Sequence, residues 1–118
     1  MTKIGIALFC LIVLVVSDPI YTSRAFVSGD AANWTQYSPN GISQTIDYSA
    51  LGLTKTPAIS TSLTCVSGCW AVTGVTSYYN LGPTSFIVYL RFPIEMGNLT
   101  VALATSYQFS LKYIIFPK

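Results

Sequence analysis

Histidine is absent from this 118-residue sequence, and only 8% of the residues are charged, six basic against four acidic. Without histidine the usual general base for a serine nucleophile is missing, and no Gly-x-Ser-x-Gly elbow occurs. The carboxylates Asp18, Asp30, Asp47 and Glu95 are scattered, so no close pair in sequence points to glycosidase-type acid catalysis. Cys65 and Cys69 without any histidine leave a tetrahedral zinc set incomplete. The inventory predicts a non-enzymatic protein with no metal or other cofactor. No basic cluster exists to neutralise phosphates or to hold the chain on an anionic membrane, which argues against a nucleic-acid partner. Ordinary domains carry about 25% charged residues, and a low charge promotes association. Attached glycans, a Ser/Thr-rich surface, or burial in a homo-oligomer are the available ways to keep such a chain in solution.

The one long apolar run opens the chain. Met1-Thr2-Lys3 precedes an uncharged stretch from Ile4 to Val16, followed by Ser17-Asp18-Pro19. A positive start, an apolar centre and small residues at its end predict a signal peptide over 1–17, cut after Ser17. The alternative, an uncleaved anchor, is disfavoured by length. The run makes only about 20 Å of helix against a hydrocarbon core of roughly 30 Å. Every later apolar run is interrupted by Ser, Thr, Gly or Pro, so no membrane span is expected in the mature chain. Cleavage leaves 101 of the 118 residues and, with Lys3 gone, a net charge of +1 instead of +2. That is enough chain for one domain in a secreted, extracellular or cell-surface protein.

Secretion also changes the cysteine arithmetic. Cys10 leaves with the leader, and Cys65 and Cys69 remain as a pair expected to oxidise. Val66-Ser67-Gly68 between them suits a three-residue hairpin loop that brings the flanking Cα atoms to about 5.5 Å. The bridge would then staple a hairpin end.

Residues 18–41, rich in Ser, Asn, Gly, Asp and Pro, read as an irregular N-terminal arm. One short strand is expected near 25–28, with closure in the turn Ser38-Pro39-Asn40-Gly41. Strand patterns follow. Ile42, Ile46 and Tyr48 mark the first, 57–65 the second, 69–78 the third, 84–92 the fourth, 99–104 the fifth and 107–116 the sixth. In the last, apolar residues occupy 107, 109, 111, 113 and 115, a period of two that predicts one buried and one wet face. In the fourth, Phe86, Val88, Leu90 and Phe92 share one face. Ile87, Tyr89 and Arg91 share the other, which is apolar enough to need cover from a neighbouring subunit or the arm. Strands at this spacing predict an all-β fold, a six-stranded antiparallel β-sandwich over 42–118.

Two sequons, Asn33-Trp34-Thr35 and Asn98-Leu99-Thr100, make Asn33 and Asn98 candidate N-glycosylation sites. Among the aromatics, Trp34 with Asp30, Asn33 and Tyr37 combines a stacking ring with polar groups and is a candidate glycan-binding constellation. The alternative is that Trp34 pins the arm to the sandwich. Trp70 is expected to pack in or beside the core. Tyr78, Tyr79, Tyr89 and Arg91 are candidates for an interface, where tyrosine is enriched.

Residues 42–116 resemble the H-type lectin domain of discoidins and snail agglutinins. The likeness rests on Ile46-Asp47-Tyr48 and Thr56-Pro57-Ala58-Ile59-Ser60-Thr61-Ser62-Leu63. It continues through Val75-Thr76-Ser77, Pro83-Thr84-Ser85-Phe86-Ile87-Val88 and the alternating 107–115 segment. The resemblance implies a six-stranded sandwich that forms trimers, often stacked as hexamers, and binds galactose- or N-acetylgalactosamine-type sugars near subunit boundaries. Two departures stand out. The arginine common in those lectins has no counterpart in Cys69–Tyr78, and Phe92-Pro93-Ile94 replaces their Trp-His pair. The expected function is a secreted, lectin-like glycoprotein that oligomerises and binds cell-surface or matrix glycans. Its rival is a structural, self-assembling subunit of an extracellular coat, filament or matrix.

Overall fold

A computed structural model of the chain describes residues 26–118. The leader expected over 1–17 and its cleavage point lie outside these residues. Where residues alternate in polarity, strands form, and seven are present among the described residues: β1 (Val27–Ala31), β2 (Thr35–Ser38), β3 (Gly41–Asp47), β4 (Ala58–Thr64), β5 (Tyr78–Tyr79), β6 (Ser85–Arg91) and β7 (Ser110–Phe116). They make two antiparallel sheets, one ordered β1-β7-β4 and the other β2-β3-β6-β5. The all-β expectation therefore holds, with seven strands in place of six.

The period of two decides which side of each sheet meets the core. Phe86, Val88 and Leu90 of β6 are fully buried and Phe92 continues their row. Opposite them, β3 contributes Ile42 and Ile46, while Phe109, Leu111 and Ile115 come from the second sheet's central strand and its approach. The two sheets thus share one apolar core in a sandwich-like arrangement.

Three segments depart from the sequence-based expectation. Residues 99–104 are not a strand; a short helix α1 (Val101–Ser106) occupies the region. Leu99, Val101 and Leu103 alternate, but the run is too short for periodicity to decide. The Thr100 hydroxyl accepts the Leu103 N–H at 3.2 Å, an N-cap that favours helix, and Ala104 turns into the core. Gln108, at φ 56°, then reverses the chain, so the last strand begins at Ser110 and Tyr107 lies outside it.

Residues 69–78 are likewise not a strand. Cys69–Ala71 form a 3-10 turn, Thr73 makes a single bridge to Arg91, and only Tyr78–Tyr79 are extended in a sheet. The cause is local. Cys65 and Cys69 are bonded over four residues, and Gly68 takes φ 83° between them. Gly74, at φ 102°, lies against the Tyr89 carbonyl where a Cβ has no room. The disulfide therefore braces a turn at the end of β4 and not a hairpin.

The stretch 18–41 is the third departure. Its described part is not irregular, because β1 joins one sheet and β2 the other. Between them Trp34 is buried, and its indole N–H donates to the Phe109 carbonyl at 3.0 Å. The expected turn at 38–41 is present and makes a hairpin of β2 and β3, with a register shift between Gln36 and Ser38.

Candidate functional site

The sheets scatter the constellation Asp30, Trp34 and Tyr37. Trp34 faces the core and offers no surface for a ligand. Asp30 points outward from β1, because Val27 and Ala31 of that strand pack inward. It pairs with Lys112 of β7, Nζ to Oδ2 2.7 Å. Such an exposed cross-strand pair contributes at most about 1 kcal/mol. Tyr37 belongs to the other sheet. Asp30 and Asn33 do border an open cavity of about 260 Å³ with Gln44, Asp47 and Tyr113, but Trp34 is not part of it. The side-chain carbonyl of Gln44 is buried with no hydrogen-bond partner among the described residues.

The residues that do converge lie on the outer face of the four-stranded sheet. Tyr37 stands at the irregularity in β2, and its ring lies over Gly41, where any side chain would collide with it. This lets it reach the ring of Tyr89 in β6, centroid to centroid 5.0 Å at 80°. On the far side Tyr79 of β5 meets Tyr89 at 5.1 Å and 84°. Edge-to-face contacts of this kind are worth about 0.5–1.5 kcal/mol each beyond burial. The strip spans the sheet, with Tyr37 42% and Tyr79 54% exposed. The arm, through Tyr37, thus supplies part of the cover expected over Tyr89.

Tyr78 does not belong to this surface. Adjacent strand residues point to opposite faces. Tyr78 turns inward, its ring 5.2 Å from Phe86 and its hydroxyl 2.8 Å from that of Thr61. Of the four interface candidates, Tyr79, Tyr89 and Arg91 share the outer face, and Tyr78 serves the core.

Arg91 ends β6 beside the strip. Its Nη2 donates to Asn40 Oδ1 at 2.7 Å, so the turn between β2 and β3 aims the guanidinium. Thr73 is held next to it by paired backbone bonds with Arg91, at 3.0 and 3.4 Å. An open cavity of about 370 Å³ is lined by Tyr37, Tyr79, Tyr89, Thr73, Ser77 and Arg91. A neighbouring one of about 520 Å³ shares Thr73 and Arg91 and includes Asn40, Phe92, Ile94 and Asn98. Both fall in the roughly 300–1,000 Å³ range of small-ligand sites. Neither lining contains a carboxylate. The arrangement offers flat apolar rings, a held guanidinium, hydroxyls and an amide, which suits adhesion to a ligand with an apolar face and many hydroxyls.

Tyr37, Tyr79, Tyr89 and Arg91 were visible as candidates in the sequence, although in two separate groups. Asn40, Thr73 and Ser77 were missed. Asn40 carried the signal of a turn residue; nothing local pairs Thr73 with Arg91, which is eighteen residues away.

Cys65 and Cys69 form the expected disulfide, Cα to Cα 6.1 Å. The braced turn carries Trp70, which does not pack beside the core and is 84% exposed. Asn33 and Asn98 are both exposed, as acceptors must be. Outside the strip, two of the described groups, Tyr48 and Asp47, are shifted from their ordinary range. Burial raises the Tyr48 phenol, whose hydroxyl donates towards the carbonyls of Gly82 at 2.6 Å and Ser85 at 3.2 Å. The Ser49 backbone N–H, at 2.8 Å, holds the Asp47 carboxyl below its ordinary value. Among the described residues no group of His, Cys, Asp and Glu is placed to hold a metal ion, and no helix is long and apolar enough to cross a membrane.

Comparison of the chain with protein-family models, with curated proteins and with solved structures yields no match.

Proposed function

We propose that this protein is a secreted, non-enzymatic glycan-binding domain that acts as a homo-oligomer at a cell surface or in a matrix. The observation that carries this reading is the strip Tyr37–Tyr89–Tyr79 beside Arg91. A pyranose presents a patch of C–H groups on one face and hydroxyls around its rim. Tyrosine rings accept the first, and Arg91, Asn40, Thr73 and Ser77 are placed for the second. The resemblance to H-type lectins belongs to this reading, but the sugar contacts would be this chain's own tyrosines, since the family's usual arginine and Trp-His pair are missing. A single open face of this kind binds weakly, and several copies joined together raise the apparent affinity by orders of magnitude. The Cys65–Cys69 disulfide accords with an oxidising compartment.

The test is retention on immobilised glycans by the mature, secreted protein and its Tyr79→Ala variant. Tyr79 is more than half exposed, so its truncation leaves the core intact. Loss of one stacking ring lowers affinity about tenfold per site. A variant that binds as well as the parent removes the strip from the mechanism. If the parent retains no glycan but grows into polymers, the structural-subunit reading takes its place.

A further inference from the structure

A sheet edge is an unpaired row of backbone donors and acceptors, and proteins blunt such edges with short strands, charges, prolines, bulges or covering segments. The two sheets leave four edges, and three of them are blunted in this way. β5 is only two residues long. β2 is four residues long, has a register shift, and is tied by the Gln36 side chain to the Leu99 carbonyl and the Val101 N–H. β1 carries the charge of Asp30. The fourth edge, β4, is seven residues long and has no charge, proline, glycine or register shift. Among the described residues, no backbone group of 58–64 bonds to anything beyond its ladder with β7.

The sequence of this strand, Ala58-Ile59-Ser60-Thr61-Ser62-Leu63-Thr64, is close to a palindrome in polarity about Thr61. From this we infer that β4 is the contact between two copies of the chain, paired antiparallel about a two-fold axis at Thr61. In that register Ile59 of one copy faces Leu63 of the other on the core side, and Ser60 faces Ser62 on the outer side. The remaining pair, Ala58 with Thr64, is also uncharged. Whichever alternate set of residues points its N–H and C=O outward, that set maps onto itself about Thr61, so about six to eight backbone bonds form. Each three-stranded sheet then continues into its partner as β1-β7-β4-β4-β7-β1. Ile59 and Leu63, partly buried in the single chain, lose their remaining contact with water. The contact is isologous and closes at two copies, so it builds a dimer and not a filament. The pairing deepens the self-association in the functional reading above, and it places two tyrosine strips on one particle.

The experiment is sedimentation velocity on the mature, secreted protein without any sugar, so its outcome is independent of glycan binding. Two variants test the register, Ser60→Glu/Ser62→Glu and Ser60→Lys/Ser62→Glu. Both sites are exposed and neither variant touches the core. The first sets glutamates opposite glutamates across the axis. The second sets Lys opposite Glu, while both place the same glutamate beside Lys112. The parent is expected to sediment as a dimer. The double-glutamate variant should associate about tenfold more weakly or not at all, and the lysine–glutamate variant should remain dimeric. Thermal melting of each confirms folding. A monomeric parent at 100 µM, an open ladder of sizes, a dimer indifferent to the two glutamates, or folded variants that are both monomeric each overturns the pairing.

Discussion

Gln36 holds together the edge from which Tyr37 projects, and its removal is the perturbation with the most legible consequence. Its Nε2 donates to the carbonyls of Ser38 at 2.6 Å, Gly41 at 2.9 Å and Leu99 at 3.1 Å, and its Oε1 accepts the Val101 N–H at 2.8 Å. Two amide hydrogens serve three acceptors, so the side chain supplies three bonds' worth of interaction. At about 0.5–1.5 kcal/mol net per bond this sums to roughly 1.5–4.5 kcal/mol, and partial access of water favours the lower half. We predict that Gln36→Ala loses about 2 kcal/mol in urea denaturation, or roughly 8–16 °C in Tm for a domain of this size. Gln36→Glu gives a sharper test. The carboxylate still accepts from Val101 but faces three carbonyl oxygens, which raise its folded pKa. Stability should therefore be highest below the ordinary glutamate value and should fall as pH rises through the elevated one. The Ala variant should show no such slope. A loss under 0.5 kcal/mol for Gln36→Ala, or a Glu variant with the parent's pH profile, would refute the assignment.

The other predictions concern separate parts of the fold. Tyr48→Phe removes the hydroxyl from Gly82 and Ser85 and should cost about 1–2 kcal/mol. Burial raises the Tyr48 pKa, so its contribution is complete below the ordinary phenol value near 10 and is lost as pH climbs past it. The Phe variant should flatten the alkaline limb of a stability-against-pH curve. Replacing Cys65 and Cys69 by serine opens a short loop and should cost about 2 kcal/mol, measured by thermal melting against the oxidised parent. Tyr79→Ala should reduce glycan retention about tenfold per site while the domain still melts cooperatively, destabilised only by the about 0.5–1.5 kcal/mol of the lost contact with Tyr89, which separates recognition from folding.

Alternation in 86–92 and 109–115 was enough, read locally, to place Phe86, Val88, Leu90, Leu111 and Ile115 in the core, because a strand sorts neighbouring side chains to opposite faces whatever it pairs with. The disulfide and the turn before Gly41 were equally local, each set by a few contiguous residues. Segment 99–106 was not decidable in this way. Its alternating apolar residues fit a strand, and the Thr100 cap and the burial of Ala104 settle it as helix. Trp34 and Tyr37 were both isolated aromatics in a polar stretch, and for Trp34 the sequence offered either a ligand-stacking ring or a pin to the sandwich. Only the passage of the chain from one sheet to the other buries the first, and only the space left by Gly41 lays the second across the sheet.

Composition and short-range pattern by themselves determined a strand-rich domain and the inner rows of its strands, and they stocked it with tyrosines and little charge. Tertiary structure alone decided which tyrosines meet. Tyr79 and Tyr89 come from consecutive strands, but Tyr37 comes from a strand far from both in sequence, and their contacts depend on strand order and register, which are set by pairing between segments and leave no mark within any one of them.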